Sequence, residues 1–112
     1  MAIQPRFGNL PTVVTDALDA ARRHDVDAFL ACFTTGASVE AWGLAHTTSA
    51  SVEKWARQLL STEPLTLTDF IHAQLGEITA VHAQMASRGY TGPVTFAFTL
   101  AGTRIRALHM TT

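Results

Sequence analysis

The sequence predicts one α+β domain, with three helices packed on one face of a curved antiparallel sheet. Two observations carry this. Apolar residues recur at three- and four-residue spacing up to Leu60, and after Pro64 the chain turns to alternating segments rich in Thr, Val, Ile and Phe. An order of helices first and meander last puts the helices on one sheet face, because each has an apolar stripe and little else to bury it against. Residues 1–9 read as an N-terminal tail and residues 10–112 as the domain; a chain of 112 residues has room for one core.

Leu10, Val13, Val14, Ala17, Leu18 and Ala21 mark a first helix running to about His24, with Pro11 in its first turn. Asp25 is the expected N-cap of a second helix, Val26 to Phe33, since its carboxylate accepts from the free amides of the next turn and Asp27 adds favourable charge there. Thr34, Thr35 and Gly36 break the pattern, and Ser38 to Trp42 alternates as a short strand. The hydroxyl-rich run His46 to Ser51 offers caps for a third helix, about Ser49 to Leu60, with Val52, Trp55, Ala56 and Leu59 on one face and Pro64 as its stop. Four strands follow, near Thr66 to Leu75, Ile78 to Ala86, Val94 to Leu100 and Arg104 to Met110, punctuated by Gly76, the loop Ser87 to Pro93 and Gly102.

A net charge of -1 with scattered Lys and Arg leaves no basic stripe to follow a phosphate backbone, so nucleic-acid binding is disfavoured. Met1 to Leu10 contains Pro5 and Gly8 and no apolar run, and nowhere do about 20 apolar residues stand together. Neither a signal peptide nor a membrane span is expected, and the expected location is the cytoplasm. Charged residues make up 15% against 47% hydrophobic, which leaves the surface short of charge for a monomer. A homodimer is expected, through an outward sheet face carrying Phe70, Val81 and Met85. Cys32 stands alone on an apolar stripe with Phe29 and Phe33 and reads as a buried, inert thiol. His24, His46, His72, His82 and His109 form no adjacent or i,i+4 pair, so no metal site is expected. No GxSxG, P-loop or GxGxxG motif occurs, and no cofactor is expected.

Strand parity selects the candidate site. One face of Thr66 to Leu75 carries Leu67, Asp69, Ile71, Ala73 and Leu75, and this face is expected to point inward. Leu75-Gly76-Glu77-Ile78 puts Gly first in a two-residue turn, the type II′ requirement, so Leu75 pairs with Ile78. Counting back sets Ile71 opposite His82 and Asp69 opposite Gln84, making Asp69 and His82 diagonal neighbours on one face. An unpaired buried polar group costs about 1–3 kcal/mol, so an aspartate inside a strand implies a partner, a water-filled cavity or a function. Asp69 and His82 are therefore the candidate catalytic pair, with the carboxylate orienting or charging an imidazole that acts as general acid or base. The structural alternative is that the two satisfy each other, or face water at an open sheet end. An odd change in the turn length would put His72 in the place of His82. Gln84 joins the cluster as a candidate ligand contact. Glu40 is a separate candidate: it shares parity with Trp42, which would point it inward, unless the short edge strand leaves its acid exposed. Trp42 and Trp55 would floor a pocket or fill the core. The face of His109 is left open by the register.

The helix joint HDVDAFLACF, the strand ASVEAWG, the helix end SVEKWARQLL and the terminal hairpin VTFAFTLAGTRIRAL resemble the NTF2-like superfamily, SnoaL-like branch, over about Leu10 to Met110. The resemblance implies a cone-shaped fold around a pocket, with His46 at its mouth as a ligand contact or as a solvated loop residue. The superfamily includes ketosteroid isomerase, scytalone dehydratase, limonene epoxide hydrolase and polyketide cyclases. Matching through ASVEAWG sets Ala41 where the isomerase has its Asp base; approximate matching sets Ala17 at its Tyr donor and Val94 near its protonated Asp, so that proton transfer lacks its groups here. A dehydratase-like set of strand histidines and an Asp is nearest in kind, and His82, His72 and Asp69 are the positions able to imitate it. The resulting expectation is a protein that binds a small, mainly apolar molecule in its cone, with acid–base lyase, isomerase or cyclase chemistry at Asp69 and His82. The rival expectation is a non-catalytic dimerisation or protein-interaction module whose cavity is filled. An open pocket of roughly 300 Å³ or more favours the first, and one closed by Trp42, Trp55, Phe96 and Phe98 favours the second.

Overall fold

The computed structural model describes residues 10–61, 65–87 and 90–111. The tail at 1–9, the helix stop at Pro64 and Gly89 of the expected loop lie outside the described residues. Helices α1 (Thr12–Arg22), α2 (Val26–Ala31) and α3 (Ser49–Ser61) accompany strands β1 (Phe33–Ala41), β2 (Leu44–His46), β3 (Leu65–Leu75), β4 (Ile78–Ser87), β5 (Thr91–Ala101) and β6 (Arg104–Thr111). The strands form one open, curved sheet in the order β2-β1-β6-β5-β4-β3, and the fold is α+β. The sheet is mixed, which corrects the antiparallel expectation: β1 runs parallel to β6, and the other pairs are antiparallel. Parallel neighbours need a long crossover, and here everything from β2 to β5 supplies it.

The two N-terminal helices meet almost without a loop because one residue serves both. His24 adopts φ 59°, Asp25 N–H donates to Ala20 O at 2.9 Å and His24 N–H to Ala21 O at 3.1 Å, the bond pattern of a left-handed helix stop. Asp25 then caps α2 as expected, its carboxylate accepting from Ala28 N–H at 3.1 Å. The His24 ring, carried on that stop, has Nδ1 2.7 Å from Leu60 O and so holds the C-terminal turn of α3 to the joint. Arg57 reaches from α3 to Asp27 of α2 at 3.5 Å, an exposed pair of small energetic weight.

β1 is longer than expected and begins at Phe33, with an irregularity between Phe33 and Ser38 where Gly36 takes φ 80°. Trp42, expected at the end of that strand, is instead a turn residue. With Gly43 it forms a two-residue hairpin loop, both at positive φ (54° and 78°), which feeds the unexpected short strand β2.

Two facts decide what faces inward. The turn at Gly76 is two residues long with Leu75 opposite Ile78 and Ile71 opposite His82, as counted from sequence. The phase of β4, however, is set by β5: Val81 pairs with Phe96 and Ala83 with Val94, all buried. Ile71, Leu75 and Ile78 therefore lie on the uncovered sheet face, 65%, 74% and 42% exposed, which overturns the expected inward face of β3 from Ile71 onward. Leu67 still points inward, because a bulge between Thr68 and Ile71 sets Asp69 and Phe70 together against the single residue Ala83. Phe70 turns into the core, where Arg22 of α1 lies 5.7 Å over its ring. Phe70, Val81 and Met85, expected on the outward face, are all buried beneath the helices.

Asp69 is the extra residue of the bulge, at φ 59°. Aspartate is among the few residues other than glycine that enter the left-handed region readily, which accounts for an acid in this strand. Replacing Asp69 by Gly is expected to leave stability unchanged or raise it by up to about 1 kcal/mol, and replacing it by Val to lower it by about 1–2 kcal/mol, as read by urea unfolding. A Gly variant less stable than the Val variant would contradict the bulge assignment.

Candidate functional site

The expected catalytic pair is not assembled. His82 stands on the uncovered sheet face, where its Nδ1 is 2.7 Å from Thr95 Oγ1. Asp69 is exposed at the bulge, and no hydrogen bond or ion pair joins it to His82. Gln84 is exposed on the same face as His82 and pairs in register with Thr68, not with Asp69. Glu40 is also outward, flanked by buried Val39 and Ala41; its Oε2 lies 3.7 Å from Nε2 of His109, which settles the facing of that last histidine. The imidazole on the helix-covered side of β3 is His72, half-buried and opposite Val81.

The other three expected contacts lie around one end of the sheet, where β1 ends, β2 begins and β4 turns into β5. Trp55 projects from α3 and is 6% exposed, its ring centroid 6.0 Å from Phe29 and 6.3 Å from His46. His46, half-buried at the end of β2, is held by Ser51 in the first turn of α3, with Nδ1 2.7 Å from the hydroxyl. That hydrogen bond ties down one ring nitrogen and leaves Nε2 for another partner. Trp42 is 45% exposed at the hairpin tip, and its ring meets that of Tyr90 at 5.5 Å. Tyr90, the only tyrosine, donates through its hydroxyl to Pro93 O at 2.7 Å. Gly92 makes room for it, since a Cβ there would lie 2.8 Å from the Tyr90 hydroxyl oxygen. Two aromatic pairs, Trp42–Tyr90 and His46–Trp55, thus stand around the β1–β2 hairpin. Sequence reasoning missed Tyr90 and Ser51; a tyrosine in a Gly- and Pro-bearing loop was the available signal.

The helix-covered sheet face is apolar. Phe96 and Phe98 are buried with their rings stacked at 6.0 Å, and Ala17, Ala41 and Val94, the positions matched to the isomerase's catalytic groups, are buried too. Of the four side chains expected to close a filled cavity, Trp55, Phe96 and Phe98 are in the core and Trp42 is not. Among the described residues two polar side-chain atoms are buried with no hydrogen-bond partner, Trp55 Nε1 and Thr79 Oγ1.

A cleft of about 730 Å³ opens elsewhere, between the exposed side of α1, α2 and the β5–β6 turn, with Asp16, Asp19, Arg23, Cys32 and Arg104 among its lining. Volume alone does not make it the better candidate. Arg23 is already paired with Asp19 and Asp25, at 3.1 and 3.3 Å. Burial pushes the Cys32 thiol above its ordinary pKa, Asp16 adding to the effect and Arg104 opposing it, which disfavours a thiolate nucleophile. Among the described residues no group of three or more His, Cys, Asp or Glu could hold a metal ion, and no helix is long and apolar enough to cross a membrane.

His82→Phe removes one exposed hydrogen bond and is expected to change unfolding free energy by less than about 1 kcal/mol while leaving the tryptophan emission of the folded protein unaltered. A shifted emission maximum would show that His82 communicates with the aromatic mouth after all.

No family model matches the chain, and no curated protein sequence matches it. Solved structures do. A candidate polyketide cyclase of Sinorhizobium meliloti is 25% identical, with a TM-score of 0.84 over 92% of this chain and 96% of that one. A SnoaL-like protein of unknown function from Burkholderia thailandensis is 19% identical, with a TM-score of 0.75 over 98% of each chain. A hypothetical protein of ketosteroid isomerase-like fold from Catenulispora acidiphila, solved in complex with trimethylamine, is 15% identical, with a TM-score of 0.78 over 91% of this chain and 85% of that one. The fold is therefore that of the NTF2-like superfamily, with SnoaL-like and polyketide cyclase-like proteins among its structural neighbours.

Proposed function

We propose that this protein binds a small, mainly apolar molecule at the mouth of its cone, between the Trp42–Tyr90 pair and the His46–Trp55 pair. The observation that carries the proposal is Trp42: a large aromatic left 45% exposed on a turn residue at φ 54°, where Asn or Gly would sit without strain. Strain kept at an exposed aromatic is typical of ligand clamps. The apolar surroundings suit an apolar body, and any acid–base step at this mouth falls to the His46 imidazole held by Ser51. Asp69 and His82, outside the mouth, have no part in the proposal. A cytoplasmic location, expected from the sequence, goes with it. The test is saturation transfer from the protein to methylenecyclohexane and cyclohexanone. Both are expected to receive transfer, and Trp42→Ala or Tyr90→Ala to weaken binding about fivefold. Absence of transfer to either molecule ends the proposal.

A second role, self-association, is supported by the uncovered sheet face. Ile71, Leu75 and Ile78 cluster there beside Ala73, Ala80 and Ala97, giving an apolar patch on β3, β4 and β5. The whole uncovered face, six strands at ~4.8 Å spacing and about eight residues of length, presents roughly 750 Å² of sheet, close to the ~800 Å² per partner of a standard stable interface, and the patch is about half of it, the remainder being polar. We propose a second copy of this chain as the occupant, since a two-fold arrangement lets one patch meet itself. Light scattering at micromolar concentration is expected to give a dimer, and Ile71→Arg with Leu75→Arg a folded monomer. A monomeric parent protein would exclude the arrangement.

A further inference from the structure

We propose that the bound molecule carries a hydrogen-bond acceptor oxygen, a carbonyl or an ether, and that Trp55 Nε1–H is its anchor. The inference deepens the binding proposed at the mouth and rests on it. Trp55 is 6% exposed, and its indole nitrogen is buried with no acceptor among the described residues. A buried donor left unpaired costs about 1–3 kcal/mol, enough to matter against the marginal stability of a small domain. Phe would fill much of the same space at no such cost, so the N–H needs a reason.

The neighbours of the indole indicate which side an acceptor comes from. Phe29 lies against one side at 6.0 Å and offers no acceptor, and Phe29 in turn packs on Phe33 at 5.2 Å within the core. His46, at 6.3 Å, is the half-exposed neighbour, so the approach to the indole from solvent passes its imidazole. Ser51 fixes that ring through Nδ1, in whichever direction the proton lies, and leaves Nε2 at the mouth. An apolar body resting on Trp42 and Tyr90 with one oxygen directed at Trp55 would satisfy the orphan donor and leave no polar group of its own unpaired. An ammonium, which donates and cannot accept, would leave it unsatisfied, and a hydrocarbon would do nothing for it.

Cyclohexanone and methylenecyclohexane have nearly the same shape and differ in the acceptor. The experiment titrates each into ¹⁵N-labelled protein while following the two indole N–H resonances, assigned with Trp42→Phe. Cyclohexanone is expected to bind about fivefold more tightly and to move the Trp55 indole proton downfield, whereas methylenecyclohexane leaves that proton in place. Trp55→Phe is expected to make the two affinities equal. Equal affinities in the parent protein, or a Trp55 resonance unmoved by the ketone because a water or a ring face holds the N–H, overturn the anchor while leaving binding at the mouth intact. Failure of both molecules to bind removes the mouth proposal and the anchor with it.

Discussion

The phase of β3 is the constraint from which the arrangement of polar groups follows. β4 is locked from one side by β5, where Val81 meets Phe96 and Ala83 meets Val94, so its inward set is apolar. A strict two-residue alternation from the Gly76 turn would then bring Thr68 inward with Phe70 and turn Leu67 out. The bulge inserts one residue and restores Leu67 to the core while keeping Phe70 there. Burying a leucine is worth about 1.5–3 kcal/mol, against about 1 kcal/mol or less for an aspartate in the left-handed region, so the bulge is favoured. β3 is an edge strand, and edges tolerate such insertions and are blunted by them.

The helix joint does for the other layer what the bulge does for the sheet. His24 stops α1, Asp25 starts α2, and the His24 imidazole grips the last turn of α3 through Leu60 O. Three helix ends are thereby tied within two residues of sequence. The joint holds one end of α3, and Trp55 lies under two turns away from Leu60 along the same helix, packed on Phe29 of α2. The placement of Trp55 thus depends on capping interactions as well as on the sheet.

Polarity is distributed unevenly over the two sheet faces. His82, Gln84, Glu40 and His109 stand on the uncovered face, where each has either a polar neighbour or water. On the covered face the positions matched to the isomerase's acids and tyrosine are Ala17, Ala41 and Val94. Proton transfer of that kind has no groups to run on here. The proposed binding site and the proposed self-association face use different residues, so the two do not compete.

The helices, the Asp25 cap, the Gly76 turn and the pairing of Leu75 with Ile78 were legible because each is local: periodicity, capping and turn chemistry are properties of a few consecutive residues. Trp55 and His46, which lie side by side, were both among the residues named, but Asp69 and His82 were misplaced. Their facing was inferred from β3 alone, whereas the more apolar alternation of β4, through Thr79, Val81, Ala83 and Met85, and of β5, through Val94, Phe96 and Phe98, pointed the other way. By itself the sequence determined an α+β chain with one core, its element order and its tightest turn. Only the tertiary structure decided which sheet face the helices cover, that β1 lies parallel to β6, and that Trp42 reaches Tyr90. Those depend on the largest apolar set winning burial across strands far apart in the chain, a competition that no single segment can settle.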